Sequence, residues 1–89
     1  MKRYLIQRDI PEVSKISAAD LRATIDASNA ALRKLSPDVQ WVESFFTDDH
    51  SYCIYLARDV DIIVEHGKLS GIPVTKISEI NRIVTPVSG

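Results

Sequence analysis

Hydrophobic and polar residues recur at helical spacing along two stretches of the chain, and four other stretches have the pattern or composition of strands. Residues 3–8 alternate, residues 39–47 are rich in β-branched and aromatic residues, and residues 51–57 and 75–84 are the other two predicted strands. Leu21, Ile25, Ser28, Leu32 and Leu35 recur at steps of three and four residues, which predicts an amphipathic helix with one packed face. Ser17 fits its N-cap, and Ser36-Pro37-Asp38 ends it. A second predicted helix lies between the third and fourth strands, so the order of elements is β-α-β-β-α-β.

The second helix is predicted over about residues 60–69, with Asp59 as its N-cap. Its polar residues fall in a narrow sector, and its apolar residues spread over more than half of the circumference. A single sheet cannot cover so wide an arc, so part of it is expected to meet a second surface. His66 lies inside this apolar arc, and Ser70-Gly71-Ile72-Pro73 is a typical helix stop.

Two details of the strands are open or irregular. With an even hairpin loop, Cys53 lies opposite Ser44; with an odd loop, Cys53 lies opposite Phe45 and shares the face of Trp41 and Glu43. A slip of one residue exchanges the faces, so the pattern alone does not decide between them. The last strand does not alternate cleanly, and a bulge or bend is expected near Ser78.

The element order predicts an α+β fold of the ferredoxin-like type, with a four-stranded antiparallel sheet and both helices on one face. Both faces of the strands are nonetheless apolar, whereas a solvated sheet face alternates with polar residues. We therefore expect the second face to be buried against a twofold copy, as in a dimeric α+β barrel. Apolar neighbours that point to opposite faces are Tyr4 and Leu5, Trp41 and Val42, Phe45 and Phe46, and Tyr52 and Cys53.

Composition narrows the class of protein. Its 89 residues make one domain, 1–89, and the net charge of −1 gives no basic surface for nucleic acid. The N-terminus lacks the apolar run of a signal peptide, and no stretch is long enough for a membrane span. One Cys excludes an internal disulfide framework. A soluble, cytoplasmic protein with no membrane partner is expected.

Candidate chemistry rests on a few scattered residues. The candidate ligands of a divalent metal are His66, Glu43 and Cys53. Nickel and zinc ions both accept such a mixture of oxygen, nitrogen and sulfur donors. Gln7, Trp41 and Tyr52 are candidate walls of a ligand pocket. Each has a simpler structural interpretation, for example a packed histidine or a small buried thiol. Arg8 and Asp9 are expected to form exposed ion pairs, and no organic cofactor is predicted.

Several motifs resemble a known family. They are Trp41-Val42-Glu43-Ser44, Tyr52-Cys53-Ile54-Tyr55, the opening Tyr4-Leu5-(x)2-Arg8-Asp9, and His66-(x)4-Gly71-x-Pro73-(x)3-Ile77-x-Glu79. Together they resemble a family of small bacterial proteins of unknown function called nickel-binding ferredoxin-like proteins. The resemblance covers almost the whole chain. It implies a βαββαβ fold, a homodimer and, by extension from a few members, nickel binding.

Three functions remain open on the sequence. The first is a dimeric binding protein that holds a divalent metal or a small ligand between sheet and helix. The second is a small enzyme of the dimeric α+β barrel type, an isomerase or cofactor-free oxygenase, with His66 as acid or base. The third is an assembly module with no site. A His66 ring bonded to a backbone carbonyl in a packed interior would argue against the enzyme.

Overall fold

A computed structural model describes residues 1–72 and 74–88, and it confirms the predicted order of elements. A short 3-10 turn at Val13–Lys15 lies in the first connection. The strands and helices are β1 (Lys2–Asp9), α1 (Ala18–Leu35), β2 (Val39–Phe46), β3 (His50–Ala57), α2 (Val60–Ser70) and β4 (Lys76–Glu79). Pro73, the last residue of the predicted helix stop, lies outside the described residues.

The four strands form one antiparallel sheet in the order β2-β3-β1-β4. The strands at the two ends of the chain, β1 and β4, are therefore neighbours, and the hairpin of β2 and β3 completes the sheet. This is the ferredoxin-like α+β fold, with each helix crossing between strands of the same sheet. Neither helix of the described residues is long and apolar enough to cross a membrane.

Both helices begin and end where their caps predict. The Ser17 hydroxyl accepts a hydrogen bond from the Asp20 amide at 3.1 Å, and the Asp59 carboxylate accepts one from the Ile62 amide at 3.0 Å. These bonds satisfy amides that have no partner within the helix. At the end of α2, Gly71 takes the left-handed conformation with φ 72°, which a residue with a Cβ adopts only with strain.

The sheet has one face covered by the helices and one open face. From Tyr4 to Arg8, the even-numbered residues of β1 point to the helices and are buried, as do the odd-numbered residues of β3, whereas their neighbours point to the open face. The core between the layers includes Tyr4, Ile6, Val39, Tyr55, Ala57, Ile62 and Ile63. On α2, His66 and Ile63 are fully buried, while Val60, Val64 and Leu69 are exposed. The apolar arc of α2 is therefore wider than one sheet covers, as predicted.

The last strand differs from its prediction. It covers only Lys76–Glu79, and its pairing with β1 is continuous through Ser78, so the bulge expected there is wrong. The Ile80 amide still donates to the Arg3 carbonyl at 2.8 Å, but the chain then leaves the sheet, and Ile83 and Val84 are exposed. The irregular spacing of the isoleucines thus reflects the end of the strand and not an extra residue within it.

Candidate ligand-binding cavity

A bulge in β2 decides which candidate residues share a face. Cys53 pairs with Ser44, as an even loop predicts, but the register shifts between Trp41 and Glu43, where Trp41 pairs with Tyr55 and Glu43 with Ile54. The extra residue returns Trp41 to the face of Cys53 and leaves Glu43 on the other face. Neither of the two simple registers contains this combination.

The structure separates the three predicted metal ligands. Cys53 and His66 are buried between the layers, whereas Glu43 is exposed on the open face. Among residues 1–72 and 74–88, no group of three or more His, Cys, Asp or Glu side chains is placed to hold one metal ion. A shared site of these three residues within one chain therefore has no support in the geometry, and metal binding by each of them stays a prediction.

His66 has the surroundings of a structural residue. Its ring is fully buried, and its Nε2 lies 3.3 Å from the carbonyl oxygen of Ser28 and 3.2 Å from the hydroxyl of the same residue. The ring edge meets Tyr55, with 5.2 Å between ring centroids. Burial lowers the pKa of His66, the hydrogen bond to Ser28 opposes this, and the charge of Arg8 lowers it further. The ring is thus neutral at pH 7 and donates from Nε2 to the carbonyl.

Two of the predicted pocket residues lie on the open face. The amide of Gln7 donates to Asp9 at 3.1 Å, and Tyr52 stacks on His50 with 6.1 Å between ring centroids. His50 Nε2 lies 3.2 Å from the carboxylate of Asp9. Gln7 and Tyr52 therefore belong to a polar and aromatic cluster on the outer side of the sheet, away from Trp41.

A cavity of about 720 Å³ lies between α1 and the helix-facing side of the sheet. Its volume is within the range of about 300–1,000 Å³ that is usual for small-molecule sites. The sheet contributes Trp41, Ser44, Cys53, Tyr55 and Arg8, and the remaining wall is mainly apolar, from α1 and the connection that precedes it. Trp41 is thus the one predicted pocket residue that lines this cavity.

Hydrogen bonds link three residues of the cavity wall. The indole of Trp41 donates to the Ser44 hydroxyl at 2.9 Å, and this hydroxyl donates to the Cys53 sulfur at 2.8 Å. The same sulfur accepts from Nη1 of Arg8 at 3.2 Å. Burial raises the pKa of Tyr55, although Ser28 and Arg8 oppose the rise, so its phenol is neutral. These hydrogen bonds tie the polar side chains on the sheet side of the cavity to one another.

Arg8 is the site residue that the sequence interpretation missed. It was expected to form an exposed ion pair, but it is only 2% exposed and lies in the cavity wall. Its place follows from strand parity, because Tyr4, Ile6 and Arg8 alternate toward the helices. That parity is readable in the sequence. Buried arginines are uncommon, so the charge of Arg8 favours an exposed position although the strand parity indicates a buried one.

Comparisons with known proteins agree with this fold. The model of the family described as nickel responsive protein SCO4226-like matches residues 4–80. The crystal structure of SCO4226 from Streptomyces coelicolor A3(2) superposes with a TM-score of 0.77 and 12% identity, covering 92% of this chain and 99% of that one. At this identity the structural likeness shows the fold alone. No curated protein matches the chain.

Proposed function

The chain belongs to the nickel responsive SCO4226-like family, and from this premise we propose that it is a small homodimeric binding protein. Its ligand is a small molecule held between α1 and the sheet. Nickel, the metal in the family's name, is the second candidate.

The observation that carries the first proposal is the cavity of about 720 Å³. It is a cleft that is partly open to solvent, and its volume is within the range of small-molecule sites. The wall is mainly apolar with a few polar groups on one side, which is the usual composition of small-molecule sites.

The same geometry favours a binding protein over an enzyme. An isomerase or cofactor-free oxygenase that uses His66 as acid or base needs the ring to reach the substrate. His66 is instead bonded to the Ser28 carbonyl and is not part of the cavity wall. An enzyme would therefore depend on another residue as its acid or base.

The open face of the sheet supports the homodimer. It carries apolar side chains that are partly or largely exposed in the single chain, namely Leu5, Val42, Phe45, Tyr52, Ile54 and Leu56. Phe45, for example, is 48% exposed. A twofold copy would bury these side chains on both subunits, because an isologous contact uses the same surface twice.

Nickel would fit the open face better than the cavity. The Arg8 guanidinium already donates to Cys53 from within the cavity wall, and its positive charge would repel a cation there. On the open face, His50 and Asp9 place an imidazole 3.2 Å from a carboxylate. A second copy would bring a second pair, and these are donor types that nickel accepts.

Calorimetric titration with nickel separates these ligand sets. We expect His50→Ala to weaken nickel binding at least about tenfold and His66→Ala to leave it unchanged, since the buried His66 ring is engaged by Ser28. The opposite result would return His66 to the site. Equal affinity in both variants and the parent would exclude both histidines.

The fluorescence of Trp41 tests the cavity directly, because it is the only Trp of the chain and lines the cavity. We expect a neutral apolar amide, decanamide, to change this emission with saturation. Thr24 lines the cavity, so the larger side chain of Thr24→Phe should fill part of it and weaken the binding of decanamide at least about tenfold. Ala27→Phe places the same ring on the exposed side of α1 and should not.

Absence of a saturable response, with decanamide and with its carboxylate analogue decanoate, would overturn the cavity proposal. An equal response in Thr24→Phe and Ala27→Phe would place the probe elsewhere on the protein. A circular dichroism spectrum of each variant establishes that it is folded.

A further inference from the structure

Arg8 is a buried charge that the chain leaves uncompensated. The side chain is 2% exposed, and its Nε and Nη2 atoms are buried without a hydrogen-bond partner among residues 1–72 and 74–88. Among the described residues, no carboxylate lies within 4.0 Å of the guanidinium. Isolated buried charges are strongly unfavourable, and nearly all buried charges in proteins are paired or bound to a ligand.

The neighbours of Arg8 do not supply the missing charge. Asp9 follows it in the chain but points to the open face, where its carboxylate meets His50 and Gln7. On the helix side, the groups near the guanidinium are Cys53, Tyr55 and His66. The phenol of Tyr55 and the ring of His66 are neutral, so neither balances the cation.

The hydrogen-bonding pattern leaves one edge of the guanidinium free. Nη1 of the planar guanidinium donates to the Cys53 sulfur at 3.2 Å. Nε and Nη2 lie on the same edge of that plane, and their two N–H groups form the fork that binds both oxygens of a carboxylate. The two atoms of Arg8 without a partner, Nε and Nη2, are therefore the two that bind a carboxylate in this way.

We propose that the ligand of the cavity is a small organic carboxylate with an apolar body, whose carboxylate binds the Nε and Nη2 edge of Arg8. This inference rests on the proposed function, because it names the class of molecule that the cavity holds. In the free chain the two N–H groups are covered by the wall, so binding includes a local shift of side chains.

The rest of the cavity favours a single negative charge. Its wall opposite the sheet is formed largely by apolar side chains, including Val13, Leu21 and Ile25. One buried guanidinium balances one carboxylate, whereas a phosphate dianion would bring a second charge with no partner. The apolar wall then binds the body of the ligand by burying it from water.

Two probes of equal length test the proposal. Decanoate carries the carboxylate, and decanamide replaces it by a neutral group of similar shape. Both are titrated by calorimetry and by Trp41 fluorescence. We expect decanoate to bind at least about tenfold more tightly than decanamide, because charge-assisted bidentate bonds are about twice as strong as neutral ones.

Variants of Arg8 assign the difference to this side chain. Arg8→Met keeps much of the volume and removes the charge, and it should reduce the affinity for decanoate at least about tenfold while leaving decanamide unaffected. Arg8→Lys keeps the charge without the planar fork and should give an intermediate affinity. Arg33→Met, on the exposed side of α1, is the matched control and should behave as the parent.

The possible results separate the two proposals. Equal binding of decanoate and decanamide would overturn the carboxylate proposal and leave the cavity proposal intact, as would unchanged decanoate binding in Arg8→Met. Binding of neither probe would overturn both. Thermal unfolding shows whether Arg8→Met is folded. We expect the ligand-free variant to melt at a higher temperature than the parent, because it lacks the unpaired buried cation.

Discussion

Nε2 of His66 lies 3.3 Å from the carbonyl oxygen of Ser28, and this contact joins the middle of α2 to the middle of α1. The other ring nitrogen, Nδ1, is buried and has no hydrogen-bond partner in the residues that the structure describes. A neutral His66 ring with its proton on Nε2 can therefore donate the hydrogen bond to the Ser28 carbonyl. A second proton, on Nδ1, would place a cation in the core beside the buried charge of Arg8.

Protonation of His66 should consequently destabilise the protein in acid. Its pKa in the folded state is lowered from the ordinary 6.5, so below about pH 6.5 the unfolded state binds the additional proton. The free energy of unfolding should then fall as the pH falls, by at most about 1.4 kcal/mol per pH unit. Urea unfolding between pH 7.5 and pH 5 measures this slope at pH values spaced by about half a unit.

His66→Gln provides the comparison, because the Gln amide can donate to the Ser28 carbonyl but does not titrate. We expect a smaller slope in this variant than in the parent. The same slope in His66→Gln and in the parent would assign the acid sensitivity to other groups.

Trp41 and Ser44 should stabilise the protein as a pair. Their hydrogen bond of 2.9 Å crosses the bulge of β2, and Ser44→Ala would leave the indole N–H of Trp41 without its acceptor. The expected loss is about 1 kcal/mol in the free energy of unfolding. Urea unfolding followed by circular dichroism suits all variants, including those that lack the Trp.

A double-mutant cycle with Trp41→Phe isolates this bond. Phe removes the donor, so Ser44→Ala should cost less in the Trp41→Phe background, with a coupling energy of about 0.5 kcal/mol or more. Additive effects of the two substitutions would show that the bond contributes nothing to stability.

Gly71 should be required for its backbone conformation and not for its small size. Its φ is 72°, and within the described part of the chain nothing lies within 4 Å of a Cβ built on it. Gly71→Ala should therefore destabilise by about 1 kcal/mol through backbone strain alone, measured by urea unfolding. Gly71→Asn is the matched variant and should lose less, since Asn tolerates the left-handed region better. Equal losses in both variants would point to a cause other than backbone strain.

The elements could be predicted because their signals are local. Ser17 and Asp59 cap their helices from within one turn, and hydrophobic periodicity depends on near neighbours. The candidate site could not be predicted in the same way. The bulge beside Val42 is one extra residue, and it places Trp41 and Glu43 on opposite faces, whereas any simple register places both on the same face. The cavity forms only when α1 and the sheet are placed together.

Arg8 shows a different kind of failure. Its parity with Tyr4 and Ile6 is visible in the sequence, and it correctly indicates the helix side of β1. Charged residues are usually exposed, and at this position that tendency conflicts with the parity of the strand. A charged residue that falls on the apolar parity of a strand is therefore better treated as a candidate site residue than as an exception.

Ile54 provides the sharpest test of the proposed dimer. It is on β3, an inner strand of the sheet, with its side chain on the open face, and it pairs with Leu5 on one side and Glu43 on the other. Ile54→Lys would place a charge in the middle of the surface that a twofold copy is proposed to bury, and each interface would then hold two unpaired cations. We expect sedimentation velocity to give a dimer for the parent and a monomer for this variant.

Ala27→Lys adds the same charge to the exposed side of α1 and should remain dimeric. A parent that sediments as a monomer at micromolar concentration would contradict the dimer, and a dimeric Ile54→Lys would show that the copies meet through a different surface, of which the exposed apolar part of α2 is the next candidate.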